Sequence, residues 1–291
     1  MVLENISAFD NFWLHAIQAV QNANLDILMQ IVTFFGDPIP WFLIAAYLYW
    51  DEREHDSLFL INIIALSAFV SDSLKAIVQR TRPSENEFLV KKGLLQNVLE
   101  KNYNYSFSFP SGHSTLSGAI ASYGLHLGGK LIKTMLILML ILVMISRLYL
   151  GMHFPSDVIM GAALGIIIGR FNLYIKGKSG SRKIDITKNK IRALIIAGIL
   201  FIAALMYLGS YSIGFVLLGY YIGLFFTKTL KLELETDHRK TEIITGFIGL
   251  GVLVAAIFLL KEFEPIKMLI FFSIGLWITL LNPALNHRVL K

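Results

Sequence analysis

LIKTMLILMLILVMISRLYL, residues 131–150, contains eleven consecutive apolar residues between Thr134 and Ser146. A predominantly apolar stretch of about 18 or more residues is long enough to cross the hydrocarbon core of a bilayer as an α-helix. The whole chain is 55% hydrophobic and only 16% charged, whereas soluble domains carry roughly 25% charged residues. We therefore predict an all-α integral membrane protein, built as a polytopic helical bundle.

Comparable apolar blocks recur along the chain and predict about nine transmembrane helices. They lie at roughly 25–50, 57–78, 113–129, 131–150, 153–171, 193–208, 213–227, 243–260 and 266–282. The first block contains Gly36-Asp37-Pro38-Ile39-Pro40, and its two prolines should break or kink the helix.

The blocks divide the chain into four predicted segments. Apolar residues recur at spacings of three and four before the first span, at Phe9, Trp13, Ile17 and Val20. This pattern predicts that residues 1–24 form an amphipathic helix lying in the membrane interface. The further segments are a first helical core (25–171), a basic linker (172–192) and a group of C-terminal transmembrane helices (193–291).

The basic residues predict the orientation of these spans, because loops rich in Lys and Arg stay in the cytoplasm. With the linker inside, 17 of the 26 Lys and Arg residues lie on the cytoplasmic side, and residues 1–24, which contain none, lie outside. We expect a multi-pass protein of the plasma or inner membrane, with its N-terminus outside and its C-terminus cytoplasmic. The net charge of +6 is spread between the apolar blocks, so no nucleic-acid partner is expected.

Three polar clusters lie at the predicted outer ends of spans two to five, although they are far apart in the sequence. They are KAIVQRTRP (75–83), FPSGHS (109–114) and SRLYLGMHFPSD (146–157). The first and third contribute three cations suited to a phosphate dianion, Lys75, Arg82 and Arg147. One cation near hydrocarbon costs on the order of 2.5–3.5 kcal/mol, so three together indicate an anionic ligand.

The second cluster should open a helix whose first N–H groups point at the anion. Gly112 would let the backbone come close to the ligand. His153 and Asp157 are one helical turn apart, so the carboxylate can orient the imidazole as a nucleophile. His113 is then the general acid for the leaving oxygen. No acidic cluster of the kind that holds Mg²⁺ accompanies these residues, so neither a metal nor another cofactor is expected.

The three clusters resemble the type 2 phosphatidic acid phosphatase superfamily, whose signature reads K-x6-R-P, P-S-G-H and S-R-x5-H-x3-D. Every specified position of that signature is matched. The resemblance implies a metal-independent membrane phosphatase with its catalytic core within residues 25–171. It implies phosphate binding by a set of five residues, and a phosphohistidine intermediate on His153, supported by Asp157, with His113 as the acid. The five phosphate-binding residues are Lys75, Arg82, Ser111, Gly112 and Arg147.

Two further carboxylates are candidate members of this site. Asp72 lies one turn before Lys75 and could hold that lysine or contact the substrate. Asp37 is a carboxylate within an apolar stretch, where function is the default interpretation, but beside Pro38 it could also cap a broken helix.

The resemblance leaves several substrates open, all of them phosphates presented at a membrane. The residues around His153 resemble those of members that act on polyprenyl diphosphates or on phosphatidylglycerol phosphate, and of these two a polyprenyl diphosphate such as undecaprenyl diphosphate is favoured. Phosphatidylglycerol phosphate, phosphatidic acid and sphingoid phosphates are alternatives. Soluble vanadium haloperoxidases share the motifs but lack such spans. Glucose-6-phosphatase resembles the predicted nine-span layout but lacks the equivalent of Asp157. A lipid transporter or binding protein with a vestigial site is the non-enzyme alternative.

Overall fold

The computed structural model describes residues 2–83, 107–126, 129–179, 198, 210–230, 239–260 and 263–289. The described residues form helices and no strand, as the all-α prediction requires. In chain order the helices are α1 (Val2–Gln18), α2 (Ala23–Phe34), α3 (Pro38–Trp50), α4 (Glu54–Val78), α5 (Gly112–Gly124), α6 (Lys130–Tyr149), α7 (Pro155–Ser179), α8 (Tyr211–Thr229), α9 (Arg239–Leu259), α10 (Glu264–Leu276) and α11 (Asn282–Val289), with a π-helical turn at Trp277–Leu281.

Among the described residues, six helices are long and apolar enough to cross a membrane, and the bent pair α2–α3 makes up to seven. The six are α4, α6, α7, α8, α9 and the segment Pro265–Asn286. The predicted span 113–129 corresponds to α5, which has only 13 residues. The predicted span 193–208 lies outside the described residues, apart from position 198. The predicted count of nine is therefore not confirmed, while the polytopic helical architecture is.

The predicted break in the first span is confirmed. Helices α2 and α3 meet at an angle of 44° across residues 35–37. Pro38 occupies the first position of α3, where its missing N–H needs no helical partner. Because the chain bends here, Gly36 and Asp37 lie in a gap between helices.

The chain forms two compact units, 1–41 with 66–182 and 42–65 with 183–291. In the first unit α7 packs closely on α5 through glycines. A Cβ added at Gly161 would lie 2.6 Å from the Ser111 carbonyl oxygen, and one at Gly118 would lie 2.7 Å from the Ala162 carbonyl oxygen. This close packing brings the first turn of α5 beside the first turn of α7, where the Ser111 N–H donates to the Asp157 carbonyl at 3.1 Å.

Helix α1 belongs to the first unit and has two different faces. Its inner face carries the fully buried Asp10 and Leu14, and Leu14 packs in a cluster with Leu148, Phe154 and Val158. Phe9, Phe12 and Trp13 are exposed on the rest of the helix.

The second unit joins α3 to the C-terminal helices by buried hydrogen bonds. The Trp50 indole N–H donates to the Ile278 carbonyl at 2.9 Å, and the Tyr49 hydroxyl donates to the Thr279 carbonyl at 3.2 Å. Both carbonyls lie in the π-helical turn, whose wider spacing departs from the regular backbone ladder. Side-chain donors thus satisfy backbone acceptors that are buried in an apolar surrounding.

Candidate active site

The three predicted clusters converge in the first unit at the start of α5. Ser111 is the N-cap of this helix, and its Oγ accepts from the Ser114 N–H at 3.4 Å and from the Ser114 hydroxyl at 3.1 Å. A Cβ added at Gly112 would lie 3.7 Å from Lys75 Nζ. The ammonium group at the end of α4 therefore lies close to the first turn of α5.

Each of the three predicted cations is held by a neighbouring group. Lys75 Nζ lies 3.0 Å from Asp72 Oδ1. Arg82 donates to the Met152 carbonyl at 3.2 Å, directly before His153. These contacts fix the charges in place before any substrate arrives.

Arg147, at the end of α6, is fully buried and donates through Nη1 to Thr33 Oγ1 at 2.8 Å. Thr33 was not predicted from the sequence, because nothing in α2 distinguishes it from a threonine of the helix interior. It connects the arginine to the helix that precedes the Gly36–Pro38 break.

His153 lies in the loop between α6 and α7 and is only 2% exposed. Burial lowers its pKa well below the usual value for histidine, and the positive charges of Arg82, Arg147 and Lys75 lower the pKa further. The imidazole is therefore neutral at neutral pH and keeps one lone pair. Because all three cations act on this ring, the predicted convergence of the motifs is present in the fold.

The orientation of His153 differs in detail from the sequence expectation. Its Nδ1 lies 2.7 Å from the Ser108 carbonyl oxygen and 3.8 Å from Asp157 Oδ2. The shorter distance is a hydrogen bond and the longer one is not. With Nδ1–H donating to Ser108, the lone pair is on Nε2. The Ser108 carbonyl lies directly before the second cluster and belongs to the backbone, so no side-chain signal in the sequence could reveal it.

Asp157 is fully buried, and both of its oxygens are hydrogen-bonded. Oδ2 accepts from the Phe154 N–H at 2.8 Å, and Oδ1 accepts from the Arg80 guanidinium at 2.8 Å. The carboxylate is thus held close to His153 and can act on the ring electrostatically, but it does not accept a hydrogen bond from it.

Asp37, one of the two further candidate carboxylates, lies beside the predicted general acid. Its Oδ1 is 3.0 Å from His113 Nε2, and His113 itself is 8% exposed. A Cβ added at Gly36 would lie 2.8 Å from His113 Cβ. The break between α2 and α3 therefore places both a close backbone approach and a carboxylate against this imidazole.

The site as a whole resembles a phosphoryl-transfer centre in its chemistry. A neutral, oriented imidazole lies among three fixed cations, and a second imidazole carries its own carboxylate. Nucleophile, charge stabilisation and proton donor are the groups that such a transfer needs. Within the described residues there is no group of three or more His, Asp or Glu arranged to hold a metal ion.

Comparison with known proteins supports this chemistry. The family model described as the PAP2 superfamily matches residues 56–181. The lipid A 4'-phosphatase of Porphyromonas gingivalis is 28% identical over 46% of this chain and 58% of its own length. The undecaprenyl-diphosphatase of Sulfolobus acidocaldarius is 28% identical over 57% of this chain and 77% of its own.

A third relative is matched over more of its length. The decaprenylphosphoryl-5-phosphoribose phosphatase of Mycobacterium tuberculosis is 30% identical over 52% of this chain and 83% of its own length. The chain spans less than two thirds of the length of the first of these relatives, the lipid A 4'-phosphatase.

One solved structure shows the same fold. It is the transmembrane PAP2-type phosphatidylglycerolphosphate phosphatase of Bacillus subtilis, with a TM-score of 0.50 and 22% identity, over 62% of this chain and 89% of that one.

Proposed function

Since the chain belongs to the PAP2 superfamily, we propose that it hydrolyses a membrane lipid phosphate or diphosphate through a phosphohistidine on His153. The observation that carries this proposal is the state of that side chain. His153 is buried and neutral, and its Nδ1–H donates a hydrogen bond to the Ser108 carbonyl at 2.7 Å. Its Nε2 lone pair is therefore available to attack phosphorus. An imidazole in this state beside three cations is suited to bind and attack phosphorus.

The first half-reaction forms a bond from His153 Nε2 to the phosphorus of the substrate. The bond from phosphorus to the leaving oxygen breaks, and His113 gives its proton to that oxygen. In the second half-reaction a water molecule gives a proton back to His113 and attacks the phosphohistidine. The N–P bond breaks, inorganic phosphate is released, and both imidazoles return to their starting states.

The negative charge of the transferring group is stabilised by fixed positive groups. Lys75, Arg82 and Arg147 all act electrostatically on His153, and Lys75 Nζ lies beside the first turn of α5, where helix N–H groups favour an anion. Ser111 and Gly112 contribute the cap and the open backbone of that turn. Because side chains supply this charge, we infer that turnover needs no metal ion.

We infer a polyprenyl diphosphate as the substrate class. Two of the three relatives described above have polyprenyl compounds in their names, a diphosphate and a decaprenylphosphoryl sugar phosphate. The phosphate is then presented at the membrane surface while the isoprenoid tail stays in the bilayer. The lipid A 4'-phosphatase supports a phosphate monoester on a lipid as the second candidate.

Phosphate release from a substrate panel tests both the activity and the substrate class. The purified chain in detergent should release phosphate from undecaprenyl diphosphate at least about ten-fold faster, in kcat/KM, than from phosphatidic acid, phosphatidylglycerol phosphate, sphingosine phosphate or glucose 6-phosphate. That ratio corresponds to about 1.4 kcal/mol of transition-state binding. Every rate should be unchanged in excess EDTA, and vanadate should inhibit as a mimic of the transition state.

Two outcomes of the panel would correct the proposal in different ways. A preference for a monoester would keep the phosphatase and replace its substrate class. A rate that vanishes in EDTA and returns with Mg²⁺ would show that side chains alone do not supply the charge.

We also infer that the site faces away from the cytoplasm, because the predicted cytoplasmic side carries 17 of the 26 basic residues. The chain contains no cysteine, so a single introduced cysteine reports its own position. In intact cells, Ser84→Cys should react with an impermeant thiol reagent, and Gly180→Cys should react only after the cells are opened. The opposite labelling pattern would reverse the orientation.

A further inference from the structure

A cluster of two aspartates and one arginine lies behind His153, and of these only Asp157 belongs to the family signature. Arg80 lies between two carboxylates, with Nη1 at 2.8 Å from Asp157 Oδ1 and Nη2 at 2.6 Å from Asp10 Oδ2. Both aspartates are fully buried, whereas the Arg80 side chain is 26% exposed. Burying a charged group costs free energy unless the charge is compensated, and here one guanidinium compensates two buried carboxylates. This arrangement therefore suggests a role beyond packing.

Asp10 comes from α1, and its contacts reach the start of α7. Oδ1 accepts from the Ser156 N–H at 2.8 Å, and Oδ2 accepts from the Ser156 hydroxyl at 2.6 Å. The Arg80 guanidinium carbon also lies 4.2 Å from the centre of the Phe154 ring. Helix α1 is thereby joined by charge and hydrogen bonds to the segment that carries both His153 and Asp157.

The charge balance of this cluster bears directly on the reaction. Asp157 paired with Arg80 alone would form a neutral pair, and a neutral pair does little to stabilise a cation nearby. With Asp10 on the other side of the guanidinium, the three groups keep one net negative charge. The proposed intermediate is a phosphorylated imidazolium on His153, whose Nδ1 lies 3.8 Å from Asp157 Oδ2. The net negative charge of the three groups, with the Asp157 carboxylate nearest to the ring, stabilises this cation.

We propose that Asp10 and Arg80 are positioning residues of the reaction, with Arg80 fixing the Asp157 carboxylate and Asp10 preserving its negative charge towards His153. The proposal rests on the phosphohistidine mechanism given above. It makes the N-terminal helix a part of the active site, in addition to any contact of its exposed apolar residues with lipid.

The alternative is that the cluster only holds α1 in place, and the two roles differ in what they change. A fastening role affects the melting temperature and leaves the folded enzyme with its normal kcat. A positioning role lowers the rate at which the phosphoenzyme forms, in protein that is folded. It leaves KM nearly unchanged, because neither Asp10 nor Arg80 is among the residues proposed to bind phosphate.

Asp10→Asn is the sharpest variant, because it removes the charge and keeps the shape. We expect the single-turnover rate of phosphoenzyme formation to fall about ten-fold, with KM within about two-fold of the wild-type value. Arg80→Lys keeps the positive charge but cannot bridge two carboxylates in the same way. It should lower the same rate, and it carries the test if Asp10→Asn does not fold.

Arg53→Ala is the matched control, since it removes another short Arg–Asp pair, Arg53 Nη2 to Asp56 Oδ2 at 2.6 Å, in the second unit. It should leave the rate of phosphoenzyme formation unchanged. In the double variant Asp10→Asn/Arg80→Lys the two losses should be less than additive, because both act through Asp157.

A wild-type rate of phosphoenzyme formation in folded Asp10→Asn would overturn this inference and leave the proposed phosphatase activity in place. If Asp10→Asn does not fold, a wild-type rate in Arg80→Lys would do the same. A wild-type protein that forms no phosphoenzyme would remove the proposed function and this inference together.

Discussion

His153→Ala should reduce turnover by about 10⁴-fold or more on every substrate, because it removes the group that forms the bond to phosphorus. A nucleophile is needed whatever the leaving group is, so an activated aryl phosphate should not restore activity. The measurement is kcat for a polyprenyl diphosphate and for an aryl phosphate, with the melting temperature recorded to confirm that the variant is folded.

The control for this variant is His55→Ala, which removes an exposed histidine of α4. It should retain wild-type kcat on both substrates. If His153→Ala kept more than about one tenth of the activity on either substrate, a role as nucleophile could not stand.

His113→Ala should lower kcat by about 10²–10⁴-fold on an alkyl phosphate, the usual size of a general-acid contribution. The loss should be much smaller on a diphosphate or an aryl phosphate, because these leaving groups depart with less protonation. This dependence on the leaving group separates a general acid from a nucleophile, and it is measured as the ratio of kcat values for matched alkyl and aryl substrates.

Asp37→Asn should show the same dependence on the leaving group with a smaller loss, since Asp37 Oδ1 lies 3.0 Å from His113 Nε2. Asp157→Asn should instead lower kcat by the same factor on both substrates, and that factor should lie between those of the two histidine variants.

An equal loss of kcat on alkyl and aryl substrates in His113→Ala would contradict the assignment of His113 as the acid.

The sequence predicts those parts of the site that consist of characteristic side chains at fixed spacings. Lys75, Arg82, Arg147 and the two histidines were all placed together from motif and topology, and the fold brings them together. The break in the first span was also predictable, because proline at 38 and 40 has a local effect that needs no partner.

The length of α5 was not predictable in the same way. Its predicted span, 113–129, was interpreted as membrane-crossing, but α5 has 13 residues and is buried along nearly all of its length in the first unit. Apolar composition cannot distinguish a helix packed inside protein from one facing lipid, since both environments exclude water.

The supporting contacts were hidden because they join distant residues or use the backbone. The Ser108 carbonyl leaves no mark in the side-chain sequence, and Asp10, the partner of Arg80, is 70 positions away along the chain. One signal did exist. Asp10, Leu14 and Ile17 share a helical face, so a carboxylate lay on the face that packs against protein.

Trapping of the covalent intermediate tests the central claim most directly. The wild type is mixed with substrate that carries radioactive phosphorus in the transferred phosphoryl group and quenched within milliseconds. We predict label on the protein that survives base and is lost in acid, as expected for a phosphohistidine. The label should be absent in His153→Ala and present in His113→Ala supplied with an aryl phosphate. Label trapped in His153→Ala, or lost in His113→Ala alone, would contradict the assignment of His153 as the nucleophile.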